Sequence, residues 1–237
     1  MRVALLSDVH ANLVALEAVL AALPPVEGIW VMGDSVGYGP DPADVLALLR
    51  ERNAVVVAGN HDLAVATGKG LEVFNPVASS AAQTHRKWLS AEDRDYLAAL
   101  PTVARAGGAT LVHGSLRDPV WEYVWDARSA HASLVLSETS LSCNGHTHVP
   151  AVFQLDDADV TSMLGRGTVE LRGRSLVNPG SVGQPRDRDP RAAWAVLDTE
   201  GRTVEFMRTT YDIAETQRRI LGRGLPPLLA DRLASGA

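Results

Sequence analysis

A single cysteine, Cys143, stands among 237 residues. That excludes an internal disulfide framework and predicts a reducing, cytoplasmic setting. No run of about 18 consecutive apolar residues occurs, so no transmembrane helix and no membrane partner are expected. The first residues lead straight into an apolar stretch without a basic segment or a small-residue cleavage site, so no secretory signal is expected. Positive charge is not in excess: 22 Lys and Arg face 28 Asp and Glu, for a net charge of −6. This argues against a broad electrostatic surface for long nucleic acid but leaves room for a local cationic site. Repeats, low-complexity tracts and linkers are also missing, and 46% apolar with 21% charged residues is ordinary for a soluble globular chain. The expectation is one domain over residues 1–237, with a loosely ordered tail from about residue 224.

What is present begins with Met1–Asn12. Val3, Ala4, Leu5 and Leu6 form the unbroken apolar run of a buried parallel strand, which stops at Asp8-Val9-His10. Leu13, Leu16, Ala18 or Val19, and Leu20 then recur at helical spacing. In open α/β sheets ligands sit beyond the carboxyl ends of strands, so Asp8 and His10 stand where a hard or borderline metal ion could be held. Alone, the pair could equally cap a helix and decorate a turn. The unit recurs: Gly28–Met32 ends in Gly33-Asp34, and Ala54–Ala58 ends in Gly59-Asn60-His61-Asp62. A helix cap needs only one small polar residue, so polar clusters at three successive strand ends read as functional.

Farther on, Leu63–Leu100 reads as mainly helical, with breaks around Gly68–Gly70 and at Asn75-Pro76. Within it His85, among Gln83, Thr84, Arg86 and Lys87, reads as a solvated-face histidine. A hairpin over Thr102–Arg105 and Ala109–Val112 delivers His113, and Leu141–Cys143 leads into Asn144-Gly145-His146-Thr147-His148. Two histidines one residue apart cannot share a helix face, but on an extended loop both can reach one small volume. After Pro150, strands are expected at Ala151–Leu155, Asp159–Leu164, Thr168–Leu171, Ser175–Asn178, Ala192–Leu197 and Thr203–Met207, with a closing helix over Tyr211–Leu221. Asn178-Pro179-Gly180-Ser181 has strong turn chemistry.

Gathered together, the strand-end groups are Asp8, His10, Asp34, Asn60, His61, His113, His146 and His148, which take in five of the seven histidines. All are oxygen or nitrogen donors without a thiolate, which suits Mn²⁺, Fe, Ni²⁺ or Zn²⁺ better than a structural zinc. They are too many for one ion and sufficient for two if a carboxylate is shared. Cys143, in a short strand, reads as a packed small residue.

In order and spacing, D-x-H, G-D, G-N-H-D, H and G-H-T-H resemble the calcineurin-like metallophosphoesterase superfamily, over the whole chain and including the NPGS loop. The small prokaryotic phosphodiesterase-like branch is the most similar. Ala11 stands where glycine is common in that family, a departure that a methyl group should tolerate. The resemblance implies an α/β (α+β) fold: a four-layer αββα sandwich of two mixed β-sheets flanked by helices, with metals at one edge. It implies that Asp8, His10, Asp34 and His148 hold one divalent ion, and that Asp34, Asn60, His113 and His146 hold a second, with Mn²⁺ favoured. It further implies in-line attack on phosphorus by a metal-bridging hydroxide, with His61 as a non-ligand catalytic histidine that assists the leaving group. Asp62 either orients that imidazole or caps the following helix.

The expected substrate is a small phosphate ester, nucleotide-like or aryl, with a diester preferred. The alternatives are a phosphomonoesterase or nucleotide phosphatase with the same centre, and a non-catalytic interaction scaffold. Trp121, Tyr123 and Trp125 at alternate positions, with Arg117 and Arg128 nearby, are either a strand packing its aromatics on the core or a rim that stacks on a flat group. Tyr38 is a second candidate wall, and His131 reads as structural. Arg186 could meet a phosphate oxygen unless it pairs with Asp187.

Overall fold

A computed structural model describes residues 1–157 and 159–237. One six-stranded sheet contains β1 (Arg2–Leu6), β2 (Gly28–Val31), β3 (Val55–Val56), β9 (Gly167–Glu170), β11 (Ala192–Asp198) and β12 (Thr203–Thr209), in the order β3-β2-β1-β11-β12-β9. The other contains β4 (Val103–Ala106), β5 (Ala109–Val112), β6 (Leu141–Cys143), β7 (Ala151–Asp156), β8 (Asp159–Leu164) and β10 (Arg174–Asn178), in the order β4-β5-β6-β10-β7-β8. Both sheets are mixed. In the first, β1, β2 and β3 run parallel while β11 is antiparallel to β1. In the second, β5, β6 and β10 run parallel while β4 and β7 are antiparallel to their neighbours.

The apolar run of β1 is explained by burial on both faces. Val3 and Leu5 point between the sheets, where they meet Trp30, Leu111, Cys143, Val177 and Leu197. Ala4 and Leu6 point outward under α1 (Leu13–Ala21) and α2 (Pro42–Glu51), through Leu16, Val19, Val45 and Leu49. On the far side, α6 (Ala127–Leu134) covers the second sheet, with Ala130 and Leu134 against Phe153, Leu155 and Leu176. The expected αββα sandwich is therefore the observed one. Cys143 is fully buried between the sheets, and burial pushes its thiol up to about 12, the state of an inert packing residue.

Two expectations need correction. The segment Leu63–Leu100 is three helices: α3 begins at Asn60 and ends at Thr67, α4 spans Pro76–Trp88, and α5 spans Ala91–Ala99. The unforeseen break falls at Ser90, whose side chain accepts from the Asp93 amide and so starts a new helix. The tail after Gly224 is packed. Leu225, Leu229 and Leu233, spaced along one face, bury with Ile220 of α7 (Ile213–Gly222) against Tyr38, Ala78 and Ala81, and α8 (Leu228–Asp231) forms part of that layer. Among the described residues no helix is long and apolar enough to cross a membrane.

Candidate metal centre

The carboxyl ends of the two parallel strand triplets meet at one edge of the sandwich. The His146 amide, after β6, donates to Asp8 Oδ2 after β1 at 3.0 Å. His113 Nδ1, after β5, donates to the Met32 carbonyl after β2 at 2.7 Å. Close approach is secured where a side chain is missing: a Cβ on Gly145 would fall 1.9 Å from Ser7 Oγ. Asp8, His10, Asp34, His146 and His148 all take positive φ, between 48° and 68°. Such left-handed backbone is costly for non-glycine residues and concentrates at functional sites. Ala11 shares it, at φ 53°, so its methyl group is accepted at a modest strain.

These side chains form two facing sets. In the first, His10 Nε2 and His148 Nε2 are 3.1 Å apart, and Asp8 Oδ1 lies 3.2 Å from His148 Nε2. In the second, His113 Nε2 and His146 Nδ1 are 2.9 Å apart, with Asn60 Oδ1 3.1 Å from His113 Nε2. Asp34 stands between the sets, with Oδ2 3.7 Å from His10 Nε2 and 3.5 Å from His113 Nε2. Each outer ring nitrogen is committed to a carbonyl: His10 Nδ1 to Val36, His148 Nδ1 to Gln184, His113 Nδ1 to Met32 and His146 Nε2 to Trp121. Those bonds fix the tautomers, so the inward nitrogens carry lone pairs that face one another.

Lone pairs about 3 Å apart repel unless a cation lies between them, and the buried Asp8 Oδ1 takes no hydrogen bond among the described residues. Burial is the leading cause that pushes His10, His113 and His148 down, and it takes His146 to about 2, which favours in all four the neutral imidazole that a metal ion requires. Burial and the charges of Asp62 and Asp8 push Asp34 up, a penalty that a cation would reverse. The donors present thus fit divalent ions. His10, Asp34 and His61 also lie close enough to form a third possible donor group.

Asp62 does not orient His61. Its Oδ2 accepts from the Gly59 amide at 3.0 Å and its Oδ1 from the Val36 amide at 3.1 Å, which makes it the cap of α3 and a tie to the loop after Asp34. The second nitrogen of His61, Nδ1, is buried and has no hydrogen-bond partner among the described residues.

His85 is likewise not solvated but fully buried. Its Nδ1 accepts from the Gly37 amide at 3.0 Å and its Nε2 donates to the Gly39 carbonyl at 2.8 Å, which clamps the loop that carries Tyr38. The signal was available: Ala78, Ala81, Ala82 and His85 follow the spacing of one buried helix face. Burial pushes this imidazole down to about 4 from its usual 6.5. The unfolded chain takes up a proton below about 6.5 and the folded protein only near 4, so His85 stabilises the fold above that window and the contribution is lost as pH falls through it. The shift corresponds to on the order of 3 kcal/mol. Urea unfolding at pH 7 and pH 4.5 should therefore show the stability gap between wild type and His85→Gln shrinking at the lower pH. A gap that stays constant would mean that His85 titrates normally.

Beside the two sets opens a cavity of about 380 Å³, walled by Tyr38, Val73, Phe74, Ala78, Trp121, Tyr123 and Arg186. Trp121, Tyr123 and Trp125 lie on a loop, not a strand. Tyr123 stacks on the imidazole of His146 at 3.8 Å, Trp125 stacks behind it at 5.7 Å, and Trp121 meets Phe74 at 5.6 Å. Arg117 is engaged by Glu122, and His131 and Arg128 are exposed on α6. Asp187 pairs with Arg208 instead of Arg186. Arg186 Nη2 donates to Gln184 Oε1 at 3.0 Å, and among the described residues no carboxylate neutralises this arginine.

The sequence model of the calcineurin-like phosphoesterase superfamily domain matches residues 1–202. An uncharacterised protein of Methanocaldococcus jannaschii is 32% identical over 99% of this chain and 98% of its own length. The crystal structure of a metallophosphoesterase from Sphaerobacter thermophilus is 42% identical, covers all of both chains and superposes with a TM-score of 0.90. A bis(5'-nucleosyl)-tetraphosphatase of Pectobacterium carotovorum is 44% identical over 64 residues, 25% of this chain and 23% of that one. The two-sheet sandwich and the converging strand ends are thus those of known relatives, and the chain belongs to the calcineurin-like phosphoesterase superfamily.

Proposed function

We propose that this chain is a dinuclear phosphodiesterase for small, flat-grouped esters, with Mn²⁺ as its working ion. The observation that carries the reading is the pair of facing imidazole sets with Asp34 between them. Two divalent ions held there would supply a nucleophilic hydroxide at neutral pH and offset phosphate charge. The chain's own part is to fix their ligands through carbonyl-bound imidazoles, to place Arg186 on a non-bridging oxygen, and to set His61 where a leaving alkoxide departs. A single uncompensated arginine beside apolar walls suits a singly charged diester with an apolar or flat alcohol group better than a doubly charged monoester. The partial match to a bis(5'-nucleosyl)-tetraphosphatase supports a nucleotide-like group on the substrate.

Mn²⁺-loaded protein should hydrolyse bis(p-nitrophenyl) phosphate faster than p-nitrophenyl phosphate. Arg186→Met should raise KM for the diester by about tenfold or more with metals retained, because it removes a charged hydrogen bond of about 1.5–3 kcal/mol. Preference for the monoester would make the protein a phosphatase. No turnover together with no bound metal would favour a scaffold.

A further inference from the structure

His61 lacks the polar partner that would hold a catalytic imidazole in place. Among the described residues its buried Nδ1 has no hydrogen-bond partner, and the adjacent carboxylate, Asp62, is committed to two backbone amides. Nor could a side chain reach Nδ1 from the loop that faces it. Gly37 lies so close that a Cβ there would fall 2.3 Å from Nδ1, and its φ is +92°. The His85 clamp on Gly37 and Gly39 keeps that backbone against the ring.

What does touch the imidazole is aromatic. Phe74 stacks on it with ring centroids 4.4 Å apart and planes 26° from parallel. Tyr38 lies tilted at 4.4 Å, and His10 meets it edge-on at 4.9 Å. Phe74 is itself held: the next residue, Asn75, caps α4 by accepting from the Ala78 amide at 2.9 Å, and the Phe74 ring packs on the layers around Tyr38 and Val36. Stacking of this kind fixes the plane of the imidazole at the wall of the cavity that it lines.

We propose that Phe74 is the positioning residue for His61, holding the leaving-group imidazole by ring stacking where no carboxylate or carbonyl holds it. The inference rests on the reading of His61 as the group that assists departure. A ring freed from one face can swing about its side-chain torsions, and a misplacement of about 1 Å can cost up to 10²-fold in rate.

The test uses Mn²⁺-loaded wild type, Phe74→Leu, Phe74→Tyr and His61→Ala, each with methyl aryl phosphates whose phenols span a range of pKa. Phe74→Leu keeps apolar bulk and should lower kcat by about 10- to 100-fold with KM little changed. It should also steepen the dependence of kcat on phenol pKa toward that of His61→Ala, and Phe74→Tyr should restore both. Crystal structures of the same loaded proteins should show His61 in one rotamer in wild type and Phe74→Tyr, and displaced or split in Phe74→Leu. A single unchanged rotamer in Phe74→Leu overturns the proposal whatever the rates, as does a rise in KM alone. If His61→Ala leaves the slope unchanged, the leaving-group role of His61 fails, while the rotamers still decide whether Phe74 positions the ring.

Discussion

Replacing His61 by alanine should lower kcat for a phosphodiester with a poor leaving group by about 10²–10⁴-fold, the usual worth of a positioned general acid. For p-nitrophenolate, which leaves without a proton, the loss should be smaller. The imidazole lines a cavity that also contains Asp34, Asn60 and Arg186, and burial, followed by the charge of Arg186, disfavours its charged form, so it acts as a general acid only once the anionic ester has drawn a proton onto it. It supports the metal set indirectly: its amide donates to Asp34 Oδ1 at 2.9 Å, a contact that the backbone of an alanine would keep. Metal content should therefore be unchanged. Loss of one ion along with the rate would instead make His61 a ligand, as its closeness to His10 and Asp34 allows.

That these side chains gather at one candidate site was legible because most of them follow an apolar run that must be a strand. Asp8, Asp34, Asn60, His113 and His146 all sit one to four residues past strands that end in a buried residue. The sandwich itself was less legible. Nothing local says that β11 inserts between β1 and β12, since that pairing links residues nearly the whole chain apart. The parts of the site that escaped are those set by contacts at a distance. Asp62 reads equally well as an orienter or a cap until two amides are seen on its oxygens. Phe74 lies in an irregular stretch before Asn75-Pro76, with no periodicity to give it a direction. His85 was masked by polar sequence neighbours, although its spacing from Ala78, Ala81 and Ala82 placed it inward.

Asp34→Asn should remove the metals from both sets at once, and with them the phosphoesterase activity, while the fold survives. The amide is isosteric with the carboxylate, and its oxygen can still accept from the His61 amide at the Oδ1 position. It cannot bridge: an uncharged NH₂ in place of Oδ2 would point a donor at the space between His10 and His113, where the carboxylate now sits 3.7 and 3.5 Å from the two rings. The stability order should invert with metal. Without ions, Asp34 is a buried acid pushed up by burial, Asp62 and Asp8, so its neutral isostere should be at least as stable as wild type. With each of the two ions at a thousandfold excess over its Kd, wild type gains about 4 kcal/mol per ion, about 8 kcal/mol together, that the variant cannot. For a chain of this size, about 2–4 °C of Tm per kcal/mol makes that roughly 16–32 °C. Thermal unfolding of both proteins with EDTA and with Mn²⁺ measures all four values. A variant that keeps the full metal-induced rise would show that Asp34 is not shared, and the two-ion centre would have to be redrawn as two separate sites.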